Sequence, residues 1–96
     1  MRIIGLKLRT GEDLIAEYIA LYEGKLTVRK PVVPQQIVDN NRQPAMQFYK
    51  WPPCSKNEQF TFRLEDYIGE PYDVLKEFED AYLQITSGIQ IATGLR

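Results

Sequence analysis

Hydrophobic and polar residues alternate at the start of the chain, a pattern typical of a β-strand with one buried face. Ile4, Leu6 and Leu8 are the apolar positions of this first predicted strand. Gly11 follows in a short polar stretch, and glycine readily adopts the positive φ that tight turns require. The chain therefore opens with a strand that runs into a turn.

The next apolar segment, residues 14–21, allows two interpretations. A helix over residues 12–21 competes with a second strand. We favour the strand because residues 22–25 form a natural hairpin turn into the apolar residues 26–28. Pro31 then ends or bends this third strand, since proline has no N–H to donate to a neighbouring strand.

The second half of the chain predicts two more strands and then a helix. Residues 45–51 and 60–64 alternate in polarity on either side of a polar loop. Over about residues 71–87 the apolar period becomes helical, and Gly88 is predicted as the C-terminal cap before an extended stretch at residues 89–91. The apolar face of the helix consists of Val74, Phe78, Ala81, Tyr82 and Ile85.

These elements predict a mainly β fold in a single domain over residues 1–96. Five short strands lie within residues 3–68, and closely spaced short strands suggest a small, strongly bent antiparallel sheet or open barrel. One α-helix follows the strands. With 96 residues the domain has a thin core, so a second copy of the chain is a natural cover for exposed apolar strands.

The composition gives little support to catalysis. The chain has no histidine and one cysteine, Cys54, so neither an intrachain disulfide nor a Cys/His metal cluster can form. We interpret Cys54 as a loop cysteine without a catalytic role, because a nucleophilic cysteine also needs a base. The sequence has no glycine-rich phosphate loop. We expect a non-enzymatic protein without metal or cofactor, located in the cytoplasm and not in a membrane.

Charge is unevenly distributed along the chain, although the formal net charge is only −1. Residues 1–63 carry ten Lys and Arg against six Asp and Glu, whereas residues 64–96 carry two against seven. This asymmetry suggests a mildly basic β-region and an acidic C-terminal region that form separate faces. A solvated helix surface without a partner explains the acidic half equally well.

The best candidate for a binding site is the run Phe48-Tyr49-Lys50-Trp51, in which Tyr49, Lys50 and Trp51 are the predicted contact residues. Aromatic rings stack on unpaired bases and lysine contacts phosphate, so this run predicts a surface for single-stranded RNA or DNA. Arg29 and Lys30 form a second basic group. The alternative is an ordinary strand whose aromatic residues serve the core and subunit contacts.

Two segments resemble the motifs of the Sm-like (LSm/Hfq-type) family. The first is Ile4-x-Leu6-x-Leu8-Arg9-Thr10-Gly11, followed by Leu14, Ala16 and the hairpin Glu23-Gly24 into Leu26-Thr27-Val28. The second is Met46-x-x-Tyr49-Lys50-Trp51. The compact chain is also similar to small Sm-like proteins encoded by bacteriophages.

The resemblance implies a five-stranded bent barrel that assembles into a homo-oligomeric ring. Residues 45–51 of one subunit would pair with residues 60–64 of the next, and the ring would bind single-stranded RNA. Tyr49 and Trp51 would stack on bases, while Lys50, Arg29 and Lys30 would contact phosphates. The alternative is a phage structural, assembly or adaptor ring that binds protein partners through its acidic helix. For a phage protein, the cytoplasm would be that of the host.

Overall fold

A computed structural model describes residues 1–86 of the chain. The elements run in the order β1 (Ile3–Leu8), β2 (Asp13–Tyr22), β3 (Lys25–Val38), β4 (Pro44–Lys50), β5 (Gln59–Arg63), a short 3-10 turn (Leu64–Asp66), β6 (Tyr67–Asp73) and α1 (Lys76–Thr86). The fold is therefore mainly β with one C-terminal helix, as the sequence predicts.

All strand pairs in the six-stranded sheet are antiparallel, in the order β4-β3-β2-β1-β6, and β5 pairs with β3 beside β4. The 14-residue strand β3 organises this sheet. Its first half pairs with β5, from Lys25 to Arg29, and its second half pairs with β4, from Val32 to Val38. Two short strands thus share one long neighbour along the same edge.

The sheet bends where β3 passes from β5 to β4. Lys30 lies at this point with φ of 51°, a left-handed conformation that is uncommon for a residue with a side chain. Its N–H donates to the Glu58 carbonyl at 2.6 Å, and the Pro31 carbonyl accepts from the Trp51 N–H at 3.1 Å. Register shifts between β2 and β3 mark bulges in the same region, and bulges increase local bending.

One face of the sheet holds the main core. Its residues come from alternate positions of several strands, as the period of a strand requires. The fully enclosed members are Ile4, Leu6, Leu14, Leu26 and Val28, joined by Leu8, Ala16, Phe62 and Tyr67. The apolar alternation seen in the first strand therefore marks the true inner face.

Helix α1 covers the opposite side of the sheet and creates a second, smaller core. Ile3, Ile15 and Val32 from three strands pack with Tyr82 of the helix, whose side chain is 1% exposed. Strand β1 is consequently buried on both faces. The structure confirms the predicted apolar face of the helix at Tyr82, while Ile85 stays 48% exposed at its end.

Two predictions about the C-terminal part need correction. Within residues 1–86 the sheet has six strands rather than five, because Tyr67–Asp73 forms a strand on the outer side of β1. The helix begins at Lys76 rather than near residue 71, and Pro71 lies inside that last strand instead of in the first helical turn. The predicted cap at Gly88 and the stretch 89–91 lie outside the described residues.

Strand β6 has an irregular sequence pattern because its pairing with β1 is interrupted. Pro71 lies in the stretch between Ile68 and Tyr72 where β6 and β1 lose their register, and proline is tolerated in edge strands and at bulges. Gly69, with φ of 72°, sits in the same irregular stretch. The break removes the regular alternation by which a strand is recognised in a sequence.

Candidate functional site

An open groove of about 770 Å³ lies between the last turn of α1, the bend of β3 and the helix-facing side of β4. Its apolar lining includes Val32, Met46, Phe48 and Ile85. Its charged residues are Lys30, Lys50 and Glu58, and the Glu58 carboxylate is also an ion-pair partner of Arg29. An apolar floor with a few polar groups is the general character of a binding pocket. Three of the five predicted binding residues, Lys30, Lys50 and Trp51, border this groove.

Lys30 is half-buried at the groove wall. Its ammonium group donates to the Thr86 carbonyl at 3.2 Å, which links the bend of β3 to α1. An ammonium group has three N–H donors, so this single bond leaves it able to contact an anion as well. The left-handed backbone at Lys30 directs the chain past the helix at this point.

Lys50 is exposed at the other side of the groove. Its ammonium group donates to the Ser55 carbonyl in the polar loop that follows β4. This bond ties the loop to the strand end and holds the charge at the groove rim. Lys30 and Lys50 therefore place two positive charges beside an apolar surface, a combination suited to an amphipathic anion.

Trp51 belongs mainly to the core. Its ring lies 5.5 Å from the Phe62 ring and 5.7 Å from the Phe60 ring, measured between centroids. The indole N–H donates to the Glu12 carboxylate at 3.3 Å. Because its ring packs on Phe60 and Phe62 and its N–H donates to Glu12, the alternative interpretation of a core aromatic describes Trp51 better than base stacking does.

Tyr49 and Lys50 point to opposite faces of β4. Tyr49 is paired across the strands with Val33, which packs against the main core, whereas Lys50 is paired with Val32 of the helix-side core. Cross-strand partners share a face of the sheet. Tyr49 is 45% exposed and its hydroxyl donates to the Gln47 side chain, so it lies outside the groove.

Arg29 is also separate from the groove. Its guanidinium group contacts the Glu17 carboxylate at 3.4 Å and the Glu58 carboxylate at 3.7 Å. Two acidic partners offset the single positive charge, which reduces its value for binding phosphate. The structure thus brings Lys30, Lys50 and Trp51 together and leaves Tyr49 and Arg29 elsewhere.

Phe48 belongs to the predicted aromatic run but not to the five predicted binding residues, and the structure places it in the groove. It lies next to Tyr49 but faces the helix, where it packs half-buried against the second core and forms part of the groove floor. The alternation along residues 45–51 places Phe48 and Lys50 on one face, and that spacing was the available signal. The position of α1 beside that face could not be read from the strand alone.

Within residues 1–86, no group of three or more Asp, Glu, Cys or His side chains is arranged to hold a metal ion. The same part of the chain contains no helix with the length and apolar character needed to cross a membrane. No protein-family model matches the chain, and no curated protein matches its sequence. The groove and the edges of the sheet are therefore the features from which we infer a function.

Proposed function

We propose that this protein is a non-enzymatic, ring-forming member of the Sm-like class that binds single-stranded nucleic acid, with RNA as the preferred ligand. The observation that carries the proposal is the juxtaposition of Lys30 and Lys50 with the aromatic and apolar floor of one groove. Stacking surfaces combined with lysines are the usual means of holding single strands without a fixed sequence.

In this proposal Phe48 replaces Tyr49 and Trp51 as the main stacking surface. A base would lie on Phe48 and Met46, while Lys30 and Lys50 would contact the flanking phosphates. Tyr49 would contact the nucleic acid only at the point where the nucleic acid leaves the groove. Repetition of the groove around a ring multiplies a modest local charge, which offsets the overall net charge of −1.

The lysines provide the direct test. Lys50→Ala is expected to weaken the binding of a fluorescein-labelled oligo-U about three- to tenfold. It should also lower the steepness of the slope of log K against log salt concentration by about one. The measurement is fluorescence anisotropy at several salt concentrations, with oligo-A and single-stranded DNA for comparison.

Lys76→Ala is the matched control, because it removes the same charge from an exposed position whose partner is Asp80. Equal losses in the two variants would indicate a general charge effect and contradict the groove. Absence of oligonucleotide binding by the assembled wild-type protein at low salt would contradict the proposed function as a whole.

We propose that assembly uses the two open edges of the sheet. Within residues 1–86, β4 and β5 lie along one edge and β6 lies at the other. The strands first considered for the ring, residues 45–51 and 60–64, both lie beside β3 on the same edge. Head-to-tail pairing needs two different surfaces, and the two opposite edges of the sheet supply them directly, so in this proposal β6 of one subunit adds to β5 of the next. Pairing of residues 45–51 with residues 60–64 of the next subunit is the alternative.

Ile68→Lys tests this arrangement, because Ile68 is a 52% exposed residue of the edge strand β6 and lysine on an edge strand opposes further pairing. We expect the variant to shift from oligomer to monomer in light scattering after size-exclusion chromatography. Ile19→Lys, at a 40% exposed position of the inner strand β2, should leave the assembly unchanged. A monomeric wild-type protein would rule out the ring.

A structural or adaptor ring is the second candidate, and one observation favours it. Leu75 is 63% exposed just before α1, beside the acidic side chains of Glu77 and Glu79. An apolar residue next to negative charge suits a protein partner of opposite charge. A well-formed ring without oligonucleotide affinity would leave this candidate, for a phage protein acting in the host cytoplasm.

A further inference from the structure

A second concave region surrounds the start of α1. One cavity of about 470 Å³ lies between the first turns of the helix, the last part of β3 and the first part of β4. Another of about 260 Å³ lies between the same start of the helix and strands β2, β3 and β6. Leu75 and Phe78 line both cavities, so the two adjoin, and we name them together the α1 cleft.

The α1 cleft exposes an apolar surface to solvent. Leu75 is 63% exposed and Tyr72 is 42% exposed, whereas Phe78 is half-buried and packs against the second core, which gives the cleft a fixed floor. Further apolar lining comes from Pro34, Pro44, Ala45, Met46 and Val74. The larger cavity falls within the size range of pockets that enclose small ligands, so it has room for a large apolar side chain of a partner.

The charged residues that line the α1 cleft are all acidic, namely Asp13, Asp73 and Glu77. Asp13 contacts the Lys7 ammonium group at 3.3 Å, which offsets its charge. Within residues 1–86, Asp73 and Glu77 have no ion-pair partner, and the neighbouring Lys76 pairs with Asp80 instead. The cleft therefore attracts cations and repels phosphate, unlike the groove that contains Lys30 and Lys50.

We propose that the α1 cleft binds a basic segment of another protein, in which a large apolar side chain lies next to arginine or lysine. The apolar side chain packs on Leu75 and Phe78, and the flanking cations pair with Asp73 and Glu77. Charge complementarity selects this occupant, because an apolar cleft with a negative rim excludes nucleic acid. The inference goes beyond the proposed function, since it uses other residues and does not depend on nucleic-acid binding.

Fluorescence anisotropy with a short labelled peptide of alternating leucine and arginine tests the inference, using the full-length protein without nucleic acid. We expect binding that weakens as salt rises, because exposed charge pairs are screened. A peptide with glutamate in place of arginine and one with serine in place of leucine should both bind more weakly. These two comparisons check the charge and the apolar side chain separately.

Two variants of the cleft have matched controls elsewhere on the surface. Leu75→Ser should weaken peptide binding about five- to tenfold, and Glu77→Lys about three- to tenfold. Serine suits position 75, because the Leu75 carbonyl accepts the first N–H bonds of α1 and serine is favoured at helix starts. Leu64→Ser, at a residue that is also 63% exposed, and Glu65→Lys should each change affinity by less than about twofold.

Three results would overturn the inference. The first is absence of binding of the leucine–arginine peptide to the wild type at low salt. The second is an equal loss of affinity in the cleft variants and their controls, which would indicate a general surface effect. The third comes from light scattering: a smaller assembly in Leu75→Ser and Glu77→Lys but not in the controls would show that a second copy of the chain occupies the cleft.

Discussion

Replacing Trp51 with alanine is expected to lower the free energy of unfolding by about 3 kcal/mol, the lower end of the range for a Trp-to-Ala change because the ring is only partly buried. The substitution removes ring contacts to Phe60 and Phe62 at centroid distances near 5.5 Å. It also leaves the Glu12 carboxylate without the hydrogen bond that the indole N–H donates to it at 3.3 Å. Urea unfolding followed by circular dichroism measures the loss.

Trp51→Phe is the companion variant, since it keeps an aromatic ring but removes the indole N–H, and it should cost about 1 kcal/mol. Oligonucleotide affinity, corrected for the folded fraction, separates core packing from stacking. We expect little change in affinity for Trp51→Phe. A Trp51→Ala protein that remains as stable as the wild type but no longer binds oligo-U would show that Trp51 stacks on bases after all.

The strands of the N-terminal half could be predicted because local signals and tertiary packing agree there. The turn after β2 is a clear case, since Glu23 and Gly24 both have positive φ, as a two-residue hairpin turn requires. The helical alternative for residues 12–21 fails because Ile15 and Leu14 belong to two different cores on opposite faces of β2. A strand that lies between two packed layers has apolar side chains on both of its faces.

Strand β6 could not be predicted because its stability comes from a distant partner. It pairs with β1, about sixty residues earlier, through two short registers that join Tyr67 to Leu8 and Asp73 to Ile4. Between them Gly69 and Pro71 interrupt the pattern, and both residues are poor strand formers in isolation. Local propensity therefore favoured the start of a helix at residues that in fact belong to the edge strand β6.

The candidate site was predicted only in part for a related reason. Neighbouring residues in a strand face opposite sides, so the run Tyr49-Lys50-Trp51 cannot form one surface on a regular strand. Lys50 reached the groove because α1 packs on its side of β4, together with Lys30 from the bend of β3. That contact joins residues far apart in sequence, and no linear motif records it.

Tyr82→Ala is expected to destabilise the protein by about 4 kcal/mol, the cost typical of truncating a fully buried aromatic side chain. The ring is 1% exposed and packs between Ile3, Ile15 and Val32, so its loss leaves the helix without its central contact. We expect the urea midpoint to fall strongly.

The hydroxyl of Tyr82 makes a separate contribution. It lies 3.1 Å from the Arg29 carbonyl and 2.8 Å from the Lys30 carbonyl, at the bend of β3. The hydroxyl is protonated at neutral pH and donates, and burial raises the pKa of Tyr82 further above its usual value. Tyr82→Phe leaves the packing intact but removes this donor, and we expect a loss of about 1–2 kcal/mol.

Tyr72→Phe is the matched control for the hydroxyl. Tyr72 is 42% exposed, and its hydroxyl donates to the Asp13 carboxylate at 3.3 Å near the surface, where water replaces the lost bond. Its effect should stay below about 0.5 kcal/mol. All variants must be unfolded at equal protein concentration, because assembly contributes to apparent stability. Equal small losses in Tyr72→Phe and Tyr82→Phe would mean that the hydroxyl of Tyr82 does not hold α1 against the bend.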